Sequence, residues 1–296
     1  MKKIFVYGTG TMGRGIAINA AQSGYQVLFC NDVFPNEVKE NIDMISASLG
    51  RRLAKGKMTQ EAFDKTMGLI TASTKIEDCK EADFIIETII EDVEIKKMAF
   101  EKMEAIKKDE AIFLSNTTSC SITEISSKLK DPTQLIGFHY FNPAHIMKLL
   151  EIMPGILTSK ETTDKARDLA ISLGKDPVVT YREGPAGVTS RILAGLLNEA
   201  VWVLHEGIAG VADIDKACVL GCNHKLGPLE LIDLIGIDIH LAKTKMLYQK
   251  TGDARYRPCF LLEQMVSAGQ IGKKAGKGFY EYSEAGKKAL QFIHVR

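Results

Sequence analysis

Residues 3–32 read KIFVYGTGTMGRGIAINAAQSGYQVLFCND, and the glycines within them decide the fold. Gly8, Gly10 and Gly13 follow an apolar run and open a helix-type segment, MGRGIAINAAQSG, after which a second apolar run begins at Tyr25. Strand, glycine turn, helix and strand in this order predict a dinucleotide-binding unit. The tight turn needs the first glycine, backbone approach to a pyrophosphate the second, and helix-to-strand packing the third. The helix N-terminus, with Thr11 and Met12 in the turn, then faces the phosphates. An acid that reads the ribose is expected at the end of the second strand, about twenty residues on. Asn31 holds that place, with Asp32 one step later. Asparagine can still bond ribose hydroxyls, but it removes a repulsion against a 2′-phosphate, and Arg14 stands near the turn. NAD is therefore the expected cofactor, with NADP open.

Three further short runs, ADFIIET (82–88), AIFLSN (111–116) and LIGFHY (135–140), are branched or aromatic-rich and bounded by turn residues. They read as buried parallel strands. Helix-type segments such as EDVEIKKMAFEKMEAIKK (91–108) alternate with them, which predicts an α/β Rossmann-type doubly wound sheet. Residues 36–69 are longer than a crossover needs, and their charged helical pattern predicts a helical hairpin projecting from the sheet. After Glu183 the strand pattern stops, and GVTSRILAGLLNEAVWVLHEGI (187–208) begins a series of apolar helices. We expect a Rossmann domain over 1–183 and an all-α domain for substrate binding and dimerisation over 184–296. Helices apolar over several faces pack against more than their own domain, so a homodimer is expected.

Lys plus Arg number 38 and Asp plus Glu 37 among 296 residues. That balance gives no general attraction to nucleic acid or anionic membrane, and any basic site is local. No apolar stretch reaches bilayer length, and the start, MKKIFVYGTG, meets glycine too early for a signal sequence. Six scattered cysteines in a chain of this size read as reduced thiols of a cytoplasmic protein. Cys218, Cys222 and His224 lack a second ligand pair, so no metal is expected.

A second stretch poses a chemical question. In FHYFNPAHIMKLLEIM (138–153), Glu151 is a lone carboxylate within an apolar run. Such a group is costly to bury without a partner, and the imidazole of His139 would serve. GTGTMGRGIA, SNTTSCSITE (115–124), GFHYFNPAHIMKLLEI (137–152), NHKLGPLELIDLIGID (223–238) and TGDARYRP through GKKAGKGFYEY (251–282) together resemble the L-3-hydroxyacyl-CoA dehydrogenases, most of all the bacterial 3-hydroxybutyryl-CoA members. The likeness covers nearly the whole chain. It implies NAD-linked oxidation of a short-chain (S)-3-hydroxyacyl-CoA, an activity of fatty acid metabolism, with His139 as general base and acid and Glu151 orienting it.

Other roles carry over from the resemblance position by position. Thr118 falls where the family has a serine hydroxyl beside the substrate oxygen. Ser190, with Thr189 beside it, falls where the family has an asparagine amide on that oxygen, and Gly187 replaces a phenylalanine, which would open space there. Glu91 and Lys96 match residues near the nicotinamide and its phosphates. Asn116 matches a residue touching cofactor and substrate, and Asn142 belongs to the histidine motif. Ser48 and Lys55 match contacts to the CoA ribose phosphate, where Arg51, Arg52 and Lys57 add positive charge suited to an anionic carrier. Two alternatives stand beside this reading: a relative acting on another acyl-CoA or on a small hydroxy acid, and a protein that binds NAD and CoA with little turnover.

Overall fold

The structure, a computed structural model, describes residues 2–291. It forms two compact units that divide in sequence between Gly187 and Val188, a few residues beyond Glu183. The first unit alternates strands and helices: β1 (Lys3–Tyr7), α1 (Thr11–Gln22), β2 (Gln26–Cys30), α2 (Pro35–Ala54), α3 (Gln60–Gly68), β3 (Ile70–Ser73), β4 (Phe84–Glu87), α4 (Val93–Glu104), β5 (Ile112–Ser115), α5 (Ile122–Ser126), β6 (Leu135–Tyr140), β7 (Leu149–Pro154), α6 (Lys160–Ser172) and β8 (Asp176–Val179). The strands make one sheet in the order β3-β2-β1-β4-β5-β6-β7-β8. All neighbours are parallel except β6 and β7.

The sheet is covered on both faces, which is why its strands are apolar at successive positions rather than at alternate ones. Ile4, Val6, Phe29, Ile86, Leu114 and Phe138 point to one side and join Ile16 and Ala20 of α1, Ile45 of α2 and Leu169 of α6. Phe5, Tyr7, Ile85 and Phe113 point to the other and join Phe100 and Met103 of α4 and Ile125 of α5. Burying one such phenylalanine contributes about 2–3 kcal/mol. The pair α2 and α3 is the expected helical hairpin, but it does not stand away from the sheet. Val38, Asn41, Ile45 and Leu49 recur at helical spacing and are buried, which lays α2 along the same face as α1.

β3, β7 and β8 were not legible as strands. β8 is an edge strand with Pro177 in it and mostly exposed side chains, so it lacks the apolar signal, and an edge is where a strand tolerates proline. β7 carries Glu151, which breaks the apolar pattern of a buried strand.

The second unit is helical: α7 (Thr189–His205), α8 (Val211–Gly221), α9 (Pro228–Ile235), α10 (Ile237–Thr251) and α11 (Phe260–Ser267), followed by an antiparallel hairpin of β9 (Tyr280–Ser283) and β10 (Gly286–Ala289). The hairpin is an addition to the all-α expectation, and its anchor is polar. Asp233 of α9, 1% exposed, accepts from the Phe279 and Tyr280 N–H groups and the Tyr282 hydroxyl. Asp215 of α8 accepts from the Leu229 and Glu230 N–H groups and the Tyr280 hydroxyl. Burial pushes both carboxyls up, and the surrounding donors pull the other way. Gly278 makes room, since a Cβ there would lie 2.0 Å from Asp233 Oδ1.

No helix of the described residues is long and apolar enough to cross a membrane. No group of three His, Cys, Asp or Glu side chains among them is arranged to hold a metal.

Removing the Asp233 carboxylate takes the shared acceptor away from two buried backbone N–H groups and the half-buried Tyr282 hydroxyl. Asp233→Ala should therefore lower unfolding stability by about 3 kcal/mol or more, measured by urea denaturation with the aromatic signal of Tyr280 and Tyr282.

Candidate active site and cofactor cradle

The antiparallel pairing of β6 with β7 sets His139 directly opposite Glu151. Both are buried, at 5% and 0% exposure, and His139 Nδ1 lies 3.2 Å from Glu151 Oε2. A carboxylate only accepts, so Nδ1 carries the hydrogen and the Nε2 lone pair faces outward. Thr118 Oγ1 is 3.1 Å from that Nε2, and the Phe141 ring lies 4.6 Å, centroid to centroid, from the imidazole. The result is an imidazole held at Nδ1 by a buried carboxylate and met at Nε2 by a hydroxyl. Gly187 helps to close the back of the pair. Its φ is +59°, and a Cβ there would be 2.3 Å from Glu151 Oε2. The space expected at Gly187 is thus not open: the carboxylate occupies it.

Thr118 is placed by a charged network beneath its loop. Glu91 Oε1 accepts from the Thr117 hydroxyl at 2.7 Å, the Thr118 N–H at 2.9 Å, and the Ser119 N–H and hydroxyl at 2.6 and 2.9 Å. Burial works against its charge, but Lys96 and these donors outweigh burial and hold the carboxyl at about 2. Lys96 is itself 1% exposed, with Nζ 2.6 Å from Glu87 Oε1 and 3.5 Å from Glu91 Oε2. Glu87, fully buried at the end of β4, also accepts from the Ser115 hydroxyl and the Ile89 N–H. The structure therefore points the Lys96 and Glu91 head groups at the loop and its support, Lys96 buried and Glu91 still 38% exposed. Asn116, half-buried, accepts from the Tyr140 N–H at 2.8 Å and so ties the same loop to the strand that carries His139.

The glycine turn after β1 fits a dinucleotide. Gly8 has φ +110°, and a Cβ there would lie 2.7 Å from the Thr88 carbonyl oxygen. A Cβ on Gly13 would come within 1.9 Å of the Gly8 oxygen, whereas one on Gly10 would meet nothing within 4 Å. The first and third glycines are thus required by packing, and the second borders open space where a pyrophosphate can approach. No side chain caps α1 at Gly10, which leaves the first-turn N–H groups at Thr11, Met12 and Gly13 directed at that space. At the end of β2, Asn31 donates from Nδ2 to Thr9 Oγ1 at 3.1 Å and accepts from the Phe34 N–H at 2.9 Å. Asp32 accepts from the Tyr7 hydroxyl at 2.6 Å.

Ser48 and Asn142 share a pocket of about 150 Å³ with Thr11, Arg14, Ile45 and His145. Lys55 caps the C-terminal end of α2, is exposed, and is not among that pocket's walls. The first unit thus brings Thr118, His139 and Glu151 together. Ser190 belongs to the second unit, near the start of α7, where it is 9% exposed.

Glu87, Thr117, Ser119 and Tyr7 were not anticipated. Glu87 offered the same signal as Glu151, a lone carboxylate in an apolar strand, FIIE. Its partner is a lysine one helical turn into the next helix.

The 3-hydroxyacyl-CoA dehydrogenase NAD binding domain matches residues 3–184, and the C-terminal domain of the same family matches residues 188–282. The chain is 39% identical over 285 residues to a 3-hydroxybutyryl-CoA dehydrogenase of Bradyrhizobium diazoefficiens, covering 96% of this chain and 97% of that one. It is 40% identical over 282 residues to the enzyme of the same name from Clostridioides difficile, covering 95% and 100%. A 3-hydroxyadipyl-CoA dehydrogenase of Escherichia coli is 35% identical, and the chain spans 59% of its length. Among solved structures, the (S)-3-hydroxybutyryl-CoA dehydrogenase of Ralstonia eutropha superposes with a TM-score of 0.91 at 36% identity, over 96% of this chain and all of that one. With both of its units matched in order by the family's two domains, the chain belongs to the 3-hydroxyacyl-CoA dehydrogenase family, and its first unit is the family's NAD-binding domain.

Proposed function

We propose that the protein catalyses the reversible oxidation of a short-chain (S)-3-hydroxyacyl-CoA, 3-hydroxybutyryl-CoA foremost, to the 3-ketoacyl-CoA. The observation that carries this reading is the imidazole of His139 held between Glu151 at Nδ1 and Thr118 at Nε2. NAD, when bound, supplies the nicotinamide ring that accepts the hydride. The chain's own residues handle the proton. Nε2 of His139 takes it from the substrate hydroxyl, and the Glu151 carboxylate stabilises the imidazolium that results. The Thr118 hydroxyl, displaced from its place beside Nε2, donates to the substrate oxygen as that oxygen becomes a carbonyl. Ser190 is assigned a second contact to the same oxygen, with a shorter reach than an asparagine would have. In the reverse direction His139 returns the proton as an acid.

Gly8, Gly10, Thr11, Met12 and Gly13 are assigned to the cofactor phosphates, and Asn116 to the meeting point of cofactor and substrate. Glu91 and Lys96 act on the cofactor end of the site by shaping the loop 116–119 from below. Ser48, Asn142 and Lys55, with Arg51, Arg52 and Lys57, are assigned to the CoA moiety, whose phosphates favour this local positive charge. The second unit leaves Ile192, Leu196, Ile208, Leu220, Leu234 and Phe260 exposed, and so many exposed large apolar side chains support self-association. A homodimer through this unit is the assembly we assign.

A second reading keeps the chemistry and changes the acyl group. It is favoured by Thr118 and Ser190, which alter the residues assigned to the substrate oxygen. Rates measured with 3-ketoacyl-CoA substrates of increasing length, with NADH, separate the two. The highest kcat/KM with acetoacetyl-CoA supports the first reading, and a maximum with a longer or dicarboxylic acyl chain supports the second. On either reading His139→Ala should reduce kcat by about a thousandfold with NADH affinity unchanged. Undiminished turnover would refute the assignment of the base, and cofactor binding without turnover on any acyl-CoA would refute the enzyme.

Glu91→Gln should lower kcat about tenfold by loosening Thr118, with a smaller change in KM. Its stability effect has a defined pH dependence. The native carboxyl lies at about 2, below its ordinary 4.5, so its contribution is present above 4.5 and is lost as pH falls through about 2. The difference in urea midpoint between native and variant should be clear at neutral pH and vanish towards pH 2. Light scattering on the purified protein should give twice the chain mass of 32.6 kDa, and a mass of one chain at micromolar concentration would refute the dimer.

A further inference from the structure

We infer that Asp32, and not the residue at position 31, is the group by which this chain selects NAD over NADP. The inference rests on the NAD-dependent dehydrogenase reading above and concerns how its ribose end is built.

Asn31 stands where a ribose-binding acid is expected, but its side chain is already used. Its Nδ2 donates to Thr9 Oγ1, inside the glycine turn, and its Oδ1 accepts from the Phe34 N–H. These bonds tie the turn after β2 to the turn after β1. Asn31 therefore builds the cradle and presents no charge to it.

Asp32 is arranged differently. Tyr7 closes β1, pairs in register with Cys30 at the end of β2, and is 6% exposed. Its hydroxyl reaches Asp32 Oδ1 at 2.6 Å. Burial first, and the Asp32 carboxylate next, keep that phenol protonated, so it is a fixed donor and Asp32 a fixed acceptor. Oδ2 has no partner among the described residues. The side chain is half-buried at the strand end, where the ribose of a dinucleotide lies in this fold. Val33 and Phe34 follow at 67% and 59% exposure, and these apolar surfaces beside the carboxylate suit the flank of an adenine ring.

The chemistry of selection follows from what each partner can do. Ribose hydroxyls donate to a carboxylate, whereas a 2′-phosphate only accepts and carries like charge. The nearby cation does not reverse this, because Arg14 is engaged by Asn41 Oδ1 and Thr11 Oγ1. Tyr7 is thus a positioning residue for Asp32.

The test is direct binding of NADH and NADPH to the cofactor-free protein, followed by nicotinamide fluorescence and requiring no turnover. The native chain should bind NADH about a hundredfold more tightly than NADPH. Asp32→Asn should shrink that ratio at least about tenfold, by weakening NADH and strengthening NADPH. Asn31→Ala should weaken both by a similar factor and leave the ratio in place. Tyr7→Phe should narrow the ratio by a smaller factor, an independent readout should Asp32→Asn fail to fold. An unchanged ratio in Asp32→Asn, or a ratio moved by Asn31→Ala instead, would overturn the assignment. Failure of the native chain to bind either nucleotide would overturn the dehydrogenase reading and this inference with it.

Discussion

A carboxylate in the interior of a sheet needs a partner, and the site is built around that requirement. Glu151 is fully buried on β7, and the partner is reached because β7 runs antiparallel to β6. In a parallel pairing the residues twelve apart in sequence would not face each other across a short connection. The one antiparallel contact of the sheet thus fixes the tautomer of His139 and aims its Nε2 outward. Gly187 completes the arrangement by leaving the carboxylate room that any Cβ would take.

A second buried carboxylate organises the loop in front of that nitrogen. Glu87 holds Lys96, Lys96 approaches Glu91, and Glu91 gathers the donors of Thr117, Thr118 and Ser119. Charges inside a protein are costly unless paired and hydrogen-bonded, and here each has several partners. The result is a loop whose threonine hydroxyl is fixed from below, as a preorganised site requires. A third use of the same principle occurs in the second unit, where Asp215 accepts from the Tyr280 hydroxyl and Asp233 from the Tyr280 N–H, and together they hold the hairpin.

Much of this was legible in the residues. The glycine spacing and the short apolar runs implied the sheet, and the apolar helices after Glu183 implied the second unit. His139 and Glu151 were recognisable because a lone carboxylate in an apolar run asks for a partner. Glu87 gave the same signal, yet nothing local pointed to Lys96, whose side chain looked like one of many on a charged helix. The strands β3 and β8 escaped notice because a sheet edge does not need an apolar sequence. The hold of Glu91 on the loop depends on four donors 26 to 28 residues away, which no local pattern encodes. The hairpin of β9 and β10 was hidden for a related reason, since its anchors lie in helices α8 and α9.

The measurement that bears most directly on this account is the tautomer of His139, read from the nitrogen resonances of its ring in isotopically labelled protein and assigned by comparison with His139→Ala. The account predicts that the neutral imidazole carries its proton on Nδ1, donated to Glu151, with Nε2 bare, and that Glu151→Gln disturbs this preference. A neutral ring protonated at Nε2 would leave no lone pair facing the substrate and would contradict the assignment of His139 as the base.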